Sequence, residues 1–204
     1  MKKKILIVGG VAGGASAATR LRRLSEEDEI IMFEKGPHVS FSNCALPYHL
    51  SGVIDEAGKL LLMSAEKFKV QYNIEARVLS EVLSIDRKSK TVEVIDYLNN
   101  RKYTESYDKL ILSPGAKPIV PKIPGIDEAK VYTIRNVVDI DKLKKSLDSL
   151  EDKRVAVIGK NSYEWATTYF AMLSGTGIIV PLDKGLPEKE IEDSKEAVEQ
   201  VKQG

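Results

Sequence analysis

The fold of this chain is decided by the stretch Ile5-Leu6-Ile7-Val8-Gly9-Gly10-Val11-Ala12-Gly13-Gly14, close to the start of its 204 residues. Residues 5–8 are apolar and continuous, which is typical of a parallel strand buried on both faces. Glycines then form a turn, and residues 15–24 have the spacing of a helix whose packed face would carry Ala17, Ala18, Leu21 and Leu24. A second apolar run, residues 29–34, completes a strand–helix–strand unit and predicts an α/β fold with a parallel sheet.

The glycine turn has the arrangement that holds the pyrophosphate of a dinucleotide. Backbone N–H groups at a helix N-terminus bind phosphate where no side chain stands in the way. Gly9 would make the tight turn and Gly14 would let the helix lie close to the strand, whereas Val11 replaces the middle glycine of the usual pattern. Glu34 ends the second strand and can accept hydrogen bonds from a ribose diol. The alternative is a tightly packed turn that binds no ligand.

The only cysteine of the chain, Cys44, follows in the segment Ser40-Phe41-Ser42-Asn43-Cys44-Ala45-Leu46-Pro47-Tyr48. A short helix over residues 45–50 would begin beside the thiol, and a helix N-terminus lowers the pKa of a cysteine thiol, which favours the reactive thiolate. Asn43 adds an amide beside it. A thiol that follows a nucleotide-binding unit indicates redox chemistry, and the alternative is a small core residue.

The middle of the chain changes its apolar period from that of a helix to that of strands. Ser64 is placed to cap a helix over residues 65–71. Alternation over residues 78–85, 91–97 and 102–107 predicts a three-stranded antiparallel meander inserted into the parallel fold, with a turn at Asn99-Asn100.

Buried strands and helices are predicted again after the meander. Residues 110–112 predict a buried strand closed by Ser113-Pro114-Gly115, and residues 139–150 predict an amphipathic helix. A second strand–helix–strand unit is predicted over residues 154–181, with its helix at residues 161–174. A charged helix is expected after Pro187.

The composition excludes several classes of function. A net charge of +1 gives no attraction to nucleic acid or to an acidic membrane. A single cysteine excludes an internal disulfide and fits a reducing cytoplasm, and we predict no metal site. No apolar run is long enough to span a bilayer. The basic start and the apolar run after it imitate a secretory signal, but the glycines would interrupt a signal helix.

Four segments together resemble a known family. They are residues 9–14, Glu34-Lys35, residues 40–48 and residues 107–116, which read Tyr-Asp-Lys-Leu-Ile-Leu-Ser-Pro-Gly-Ala. In these segments the chain resembles the single-cysteine branch of the FAD-dependent pyridine nucleotide–disulfide oxidoreductases, and within that branch the members that reduce coenzyme A disulfide. The resemblance implies a Rossmann-like FAD-binding domain over residues 1–152.

The resemblance also implies a cofactor, a donor and a substrate. FAD would lie on the glycine turn, NAD(P)H would supply hydride to the flavin, and the flavin would reduce a mixed disulfide between Cys44 and coenzyme A or another small thiol. Adenine would lie near Val82. The implied cofactor-binding residues are Gly9, Gly10, Val11, Ala12, Gly13, Gly14, Glu34, Lys35, Val82, Ser113 and Gly115. The implied catalytic residues are Cys44 and Asn43, and the implied substrate-binding residues are Ser16, Arg20, Arg23, Ser40 and Asn43. Without the resemblance, Arg20, Arg22 and Arg23 would form a solvated helix face.

Residues 153–204 depart from this resemblance. Where the family has a second nucleotide fold, residues 159–164 carry no further glycine, and Glu164 would place a negative charge at a pyrophosphate. Residues 154–165 and 175–183 resemble an early segment of AMP-forming acyl-activating enzymes, without the phosphate loop or catalytic lysine of those enzymes. We therefore expect a chimera of an incomplete FAD-binding domain and a heterologous tail. The nicotinamide domain and the dimerisation domain of this homodimeric family would be absent, and turnover by the chain alone would be weak or absent.

Three other functions stay open at this point. The first alternative is a non-catalytic module that binds FAD or coenzyme A, with Cys44 as a redox-responsive thiol. The second is a function like that of the NADH oxidases and peroxidases of the same branch, in which the cysteine cycles through sulfenic acid. An acyl-activating fragment is the third alternative.

Overall fold

The computed structural model describes residues 2–120, 131–147, 155–159 and 179–183. In chain order its elements are β1 (Lys4–Val8), α1 (Ala12–Leu24), β2 (Glu29–Phe33), α2 (Leu46–Leu50), α3 (Ala65–Tyr72), β3 (Glu75–Arg77), β4 (Ser80–Asp86), β5 (Thr91–Asp96), β6 (Arg101–Ser106), β7 (Lys109–Leu112), α4 (Val137–Leu147), β8 (Val155–Gly159) and β9 (Ile179–Asp183). Single 3₁₀ turns span Asn43–Ala45 and Ala57–Leu60. The chain divides into two compact units, one of residues 1–42 and 58–117 and the other of residues 43–57 and 118–204.

The first unit is built on the predicted parallel sheet, with strand order β3-β2-β1-β7. β1 pairs in parallel with both β2 and β7, so that Leu6 lies between Ile31 and Leu110. Successive residues of a strand face opposite sides of the sheet, and the core therefore divides into two clusters. One cluster joins the sheet to α1 and α3 and contains Ile7, Ala15, Ala18, Ile30, Met32, Val39, Phe68 and Ile74. The other joins it to the meander and contains Leu6, Ile31, Phe33, Val92 and Val94.

The predicted meander is confirmed as an antiparallel sheet of order β4-β5-β6. Its middle strand alternates between buried and half-buried residues, as a strand does when one face covers a core. The register between β4 and β5 shifts between Val82 and Ser84, which marks a bulge. Asn100 has a φ of 48°, in the left-handed region that asparagine tolerates in turns.

The helix after the glycine turn differs from its prediction in two ways. α1 begins at Ala12, because the first helical turn includes the glycines, and its buried residues are Gly14, Ala15, Ala18 and Arg22. Leu24, expected on the packed face, is 66% exposed. Arg22, expected to be solvated, is buried, and its guanidinium donates to five carbonyl groups, those of Ser25, Glu26, Asp28, Tyr72 and Asn73.

Two strands of the sheet were described incompletely by the sequence pattern. β3 was not predicted as a parallel strand, since Glu75 and Arg77 give it no apolar pattern, yet it pairs in parallel with β2. The prediction of a buried strand at residues 110–112 was wrong in its burial. Among the strands that the structure describes, β7 lies at the edge of the sheet and pairs with β1 alone, and Leu112 is 59% exposed.

The second unit contains the 3₁₀ turn Asn43–Ala45, α2 and α4. α2 packs against α4, whose inward face carries the buried residues Val137, Ile140 and Leu143. β8 and β9 pair in parallel, as expected for the strands of the second strand–helix–strand unit. The helices predicted over residues 161–174 and after Pro187, and the end of the helix predicted over 139–150, lie outside the described residues. Within the described part, no helix has both the length and the apolarity that a membrane span requires.

Candidate functional site

The glycine turn of the first unit is closed on both sides by backbone. Gly9 has a φ of +96°, and a Cβ there would lie 2.0 Å from the carbonyl oxygen of Ser113. A Cβ on Gly14 would lie 1.7 Å from the carbonyl oxygen of Gly9. Only glycine therefore fits at either position, and the roles predicted for them, the tight turn and the close approach of helix to strand, agree with this geometry.

Glu34 fastens the glycine turn to the end of β2. Its Oε2 accepts a hydrogen bond of 2.8 Å from the N–H of Gly10, and its Oε1 accepts one of 2.9 Å from the N–H of Gly36. A Cβ on Gly10 would lie 2.7 Å from Cγ1 of Val39 and 3.0 Å from Cβ of Glu34. Each carboxylate oxygen has two acceptor positions, so both oxygens retain one for a ribose hydroxyl.

The N-terminus of α1 has no side chain bonded across it. Val11 occupies the capping position without a side-chain hydrogen bond, and the first turn contains no acidic residue. Ala12 and Gly13 are exposed. The positive end of the helix dipole and its first N–H groups therefore meet no negative side chain of their own turn, an arrangement suited to a phosphate.

Ser113 and Gly115 follow the edge strand β7 beside this turn. The Ser113 N–H donates to the carbonyl of Val8 at 2.7 Å, and a Cβ on Gly13 would lie 2.4 Å from Oγ of Ser113. Gly115 has a φ of 72°, which a glycine adopts without strain. Both predicted residues thus lie where β7 leaves the sheet, and Ser113 contacts the turn directly.

Lys35 and the residue before Val82 form an ion pair that the sequence reasoning missed. Nζ of Lys35 lies 2.8 Å from Oε1 of Glu81, and the phenol of Tyr97 donates to Oε2 of the same carboxylate. The hydrogen bonds from Lys35 and Tyr97 lower the pKa of Glu81, and the bond to Glu81 raises the pKa of Lys35 and of Tyr97. Val82 itself is half-buried against the meander cluster. The only sequence signal for a role of Glu81 at this site is its position next to Val82.

Three of the predicted substrate-binding residues share one face of α1. Ser16, Arg20 and Arg23 are exposed, and their spacing of four and three residues places them on neighbouring turns of the helix. Arg22 points inward from the same helix. Of the three arginines of α1, one is therefore buried, whereas Arg20 and Arg23 remain accessible to solvent. Ser40 adopts a φ of 48°, and its N–H donates to the carbonyl of Gly10 at 2.9 Å, which joins the start of the cysteine segment to the glycine turn.

Cys44 and Asn43 belong to the second unit. Cys44 is exposed, within the 3₁₀ turn Asn43–Ala45 that leads into α2. The predicted short helix is thus present, but its α-helical part begins at Leu46 and has only five residues, which limits the helix dipole at the thiol. Oδ1 of Asn43 is buried and has no hydrogen-bond partner. Leaving a buried acceptor unpaired costs about 1–3 kcal/mol, so this oxygen is available to a bound donor.

The predicted site residues are therefore divided between the two units. The first unit brings together the glycine turn, Glu34, Lys35, Val82, Ser113 and Gly115, with the exposed face of α1 beside the turn. The second unit contains Asn43 and Cys44. Within the described residues, no three side chains of histidine, cysteine, aspartate or glutamate are grouped as metal ligands would be.

The sequence profile of the pyridine nucleotide-disulphide oxidoreductase family matches residues 3–199. This match extends beyond residue 152, the expected end of the FAD-binding domain. It does not single out residues 153–204 as foreign, and the boundary at that point, like the resemblance of the tail to acyl-activating enzymes, stays a prediction.

Individual relatives agree with the family match. Coenzyme A disulfide reductase of Staphylococcus haemolyticus is 39% identical over 157 residues, which are 77% of this chain and 35% of that protein. The structure of reduced CoADR-RHD from Bacillus anthracis matches with a TM-score of 0.85 and 48% identity, over 90% of this chain and 33% of that chain. Water-forming NADH oxidase from Lactobacillus brevis, bound to NADH, matches with a TM-score of 0.81 and 31% identity, over 89% of this chain and 40% of that chain. The chain spans about a third of the length of the curated relatives that it matches.

Proposed function

Because the chain belongs to the pyridine nucleotide–disulphide oxidoreductase family, whose members are enzymes that use FAD and NAD(P)H, we propose that it acts in the reduction of coenzyme A disulfide through Cys44. The observation that carries the proposal is the exposed thiol of Cys44 beside a buried Asn43 oxygen that has no partner. We take the proposed substrate, coenzyme A disulfide, from the relatives that are named coenzyme A disulfide reductases.

The first unit fits the adenosine and pyrophosphate end of FAD. The glycine turn leaves no room for side chains, and α1 presents an uncapped N-terminus to a phosphate. Glu34 is held by Gly10 and Gly36 with one acceptor position left on each oxygen, so a ribose diol would find a preoriented carboxylate. Val82 and Lys35 would border the adenine. The bound flavin would supply the electron pair that NAD(P)H delivers.

Cys44 would perform the thiol chemistry. Its thiolate would attack one sulfur of coenzyme A disulfide, which forms a bond between Cys44 Sγ and that sulfur and releases the other coenzyme A as a thiolate. Two electrons and a proton would then cleave the mixed disulfide, regenerate the Cys44 thiolate and release the second coenzyme A as a thiol. Oδ1 of Asn43 would accept a hydrogen bond from the coenzyme A thiol that leaves when the mixed disulfide is cleaved, since this oxygen has no partner.

The exposed face of α1 would bind the phosphates of coenzyme A. Arg20 and Arg23 are exposed on one face, with Ser16 one turn before Arg20. Guanidinium groups bind phosphate through charge-assisted, often bidentate hydrogen bonds. Arg22 is excluded from this role because its guanidinium is fully used by backbone carbonyls.

The proposal is tested by a stoichiometric reaction that requires no nicotinamide nucleotide. Purified chain is mixed with coenzyme A disulfide, and we expect one equivalent of coenzyme A thiol to be released and one coenzyme A to be attached to Cys44, as read by intact mass. Cys44→Ser should release none and should still bind FAD, as read by flavin absorbance. A chain whose Cys44 reacts with iodoacetamide but forms no mixed disulfide would contradict the proposal.

The match to a water-forming NADH oxidase favours a second candidate, in which Cys44 reduces an oxygen species. The cysteine would then pass through sulfenic acid, which forms a stable adduct with dimedone. Consumption of hydrogen peroxide by the reduced chain at a higher rate than consumption of coenzyme A disulfide would favour this candidate over the first.

A further inference from the structure

The second unit contains, shortly after Cys44, a buried histidine to which the proposed thiol chemistry assigns no role. His49 lies in α2, five residues after Cys44, and is 3% exposed. Histidine is titratable and polar, so its burial requires hydrogen-bond partners. Its two ring nitrogens face two different parts of the unit, which makes it a connection between them.

The Nδ1 atom of His49 closes the loop that follows α2. It lies 2.6 Å from the carbonyl oxygen of Ile54. A carbonyl oxygen can only accept, so Nδ1 carries the proton. Ile54 is also bonded through its N–H, which donates to the carbonyl of Tyr48 at 3.0 Å. The C-terminal end of α2 is thus fixed by a pair of bonds that both end on Ile54.

The Nε2 atom of His49 faces α4. It lies 3.8 Å from Oδ1 of Asp141, beyond hydrogen-bond distance, and the two groups attract each other only when Nε2 also carries a proton. Asp141 follows the buried Val137 by one helical turn and Ile140 by one residue, so it lies at the border of the face that packs against α2. The ring therefore lies between the cysteine-bearing turn and helix and the longer helix of the unit.

We propose that His49 is a positioning residue for Cys44, a role that rests on the proposed thiol chemistry. The 3₁₀ turn that carries Cys44 continues directly into α2, and a five-residue helix is too short to hold its own orientation. His49 holds the end of α2 through its hydrogen bond to Ile54, and thereby fixes the direction from which the thiol meets a disulfide. Attack on a disulfide needs the thiolate in line with the S–S bond and room beyond it for the departing thiolate. Alkylation by iodoacetamide is also an in-line displacement, but the reagent is much smaller and therefore depends less on the direction in which the thiol points.

Substitutions of His49 can distinguish the contributions of its two ring nitrogens. His49→Asn places an amide donor at the position of Nδ1, and His49→Gln places one near Nε2 but leaves the Ile54 carbonyl without its donor. His49→Leu removes both ring nitrogens, and with them the bond to Ile54, at similar volume. One hydrogen bond contributes about 0.5–1.5 kcal/mol, which corresponds to a factor of about 2–12 in a rate that depends on it.

The test compares two reactions of Cys44 in these variants. The disulfide probe is 5,5′-dithiobis(2-nitrobenzoate), and the control reagent is iodoacetamide. We expect the ratio of the two rates to fall about 2–12-fold in His49→Leu and His49→Gln and to remain within twofold of the parent in His49→Asn. Asp141→Asn should leave the ratio within twofold of the parent, because the carboxylate forms no hydrogen bond with the ring, and Asp139→Asn on the same helix should do the same.

A purely structural role would produce a different pattern. The positioning role would be wrong if the ratio of the two rates fell as far in His49→Asn as in His49→Leu. It would also be wrong if both rates changed in parallel, so that their ratio stayed constant. Neither reaction involves FAD or coenzyme A. Failure of the parent chain to react with coenzyme A disulfide would therefore refute the proposed function without affecting this measurement.

Discussion

Glu34 and Gly10 are joined by a hydrogen bond of 2.8 Å from the backbone N–H of the glycine to Oε2 of the carboxylate. The second carboxylate oxygen accepts from Gly36, so one side chain holds both the glycine turn and the loop after β2. The acid that would bind ribose is therefore also the residue that shapes the phosphate-binding turn. Both functions depend on a carboxylate, since two backbone donors face its two oxygens.

Glu34→Gln is expected to weaken FAD binding by about tenfold or more. Glutamine can accept from only one of the two N–H groups, and its amide group would face the other donor. A hydrogen bond to a charged acceptor contributes about 1.5–3 kcal/mol, which corresponds to a factor of about 10–150 in affinity. Titration of the chain with FAD, followed by quenching of flavin fluorescence, measures the change. Glu26→Gln, at an exposed position, is the matched control, and equal affinities for the two variants would contradict the prediction.

Gly14→Ala is expected to destabilise the first unit, although alanine is the better helix former. The added Cβ would lie 1.7 Å from the carbonyl oxygen of Gly9, an overlap that only a backbone shift relieves. We expect a loss of about 1–3 kcal/mol in the free energy of unfolding, together with weaker FAD binding. Gly58→Ala is the control because nothing lies within 4 Å of its Cβ position, and it should leave stability within about 0.5 kcal/mol of the parent. Thermal and urea unfolding followed by circular dichroism compare them.

Arg22→Met is expected to lower the free energy of unfolding by about 2–4 kcal/mol. Methionine retains the apolar stem but leaves five carbonyl groups near α1 and α3 without their donor. Arg23→Met, one position further and exposed, should change stability by no more than about 0.5 kcal/mol. Urea unfolding at neutral pH measures both. Similar midpoints for the two variants would show that the buried network contributes little.

The parallel sheet and the glycine turn could be predicted because local pattern and tertiary role coincide there. Residues 5–8 are apolar on both faces of a sheet that is covered on both faces, and Gly9 and Gly14 are required by backbone contacts a few residues away. The meander was predictable for the same reason, since the alternation along β5 matches its one buried face.

The remaining differences come from partners that are distant in sequence. Nothing near Arg22 indicates that the carbonyl groups of Tyr72 and Asn73 will surround it, and Leu24 is exposed because the arginine takes the inward position. β3 is specified by pairing with β2 rather than by its own apolar residues. Likewise, no local pattern indicates that Glu81 lies beside Lys35 or that His49 lies beside Asp141, because each pair is distant in the chain.

Acid is expected to destabilise the first unit in part through Glu105. Burial alone would raise the pKa of Glu105, but hydrogen bonds from Lys4 and Arg77 outweigh it and hold the pKa below its usual value of 4.5. The folded chain therefore binds this proton less readily than the unfolded chain does. The stability that the carboxylate contributes is complete above the unfolded pKa and is lost as the pH falls through the lower folded value.

Glu105→Gln tests this linkage. The variant should be less stable at pH 7 by about 1–3 kcal/mol, because Lys4 and Arg77 lose a charged acceptor, and its stability should fall less steeply than that of the parent below about pH 4.5. Glu93→Gln is the control, since Glu93 is half-exposed and lies 3.9 Å from Lys102. Urea midpoints measured from pH 7 to pH 3 would contradict the assignment if the curves of Glu105→Gln and the parent ran parallel, because the acid dependence would then arise from other carboxylates.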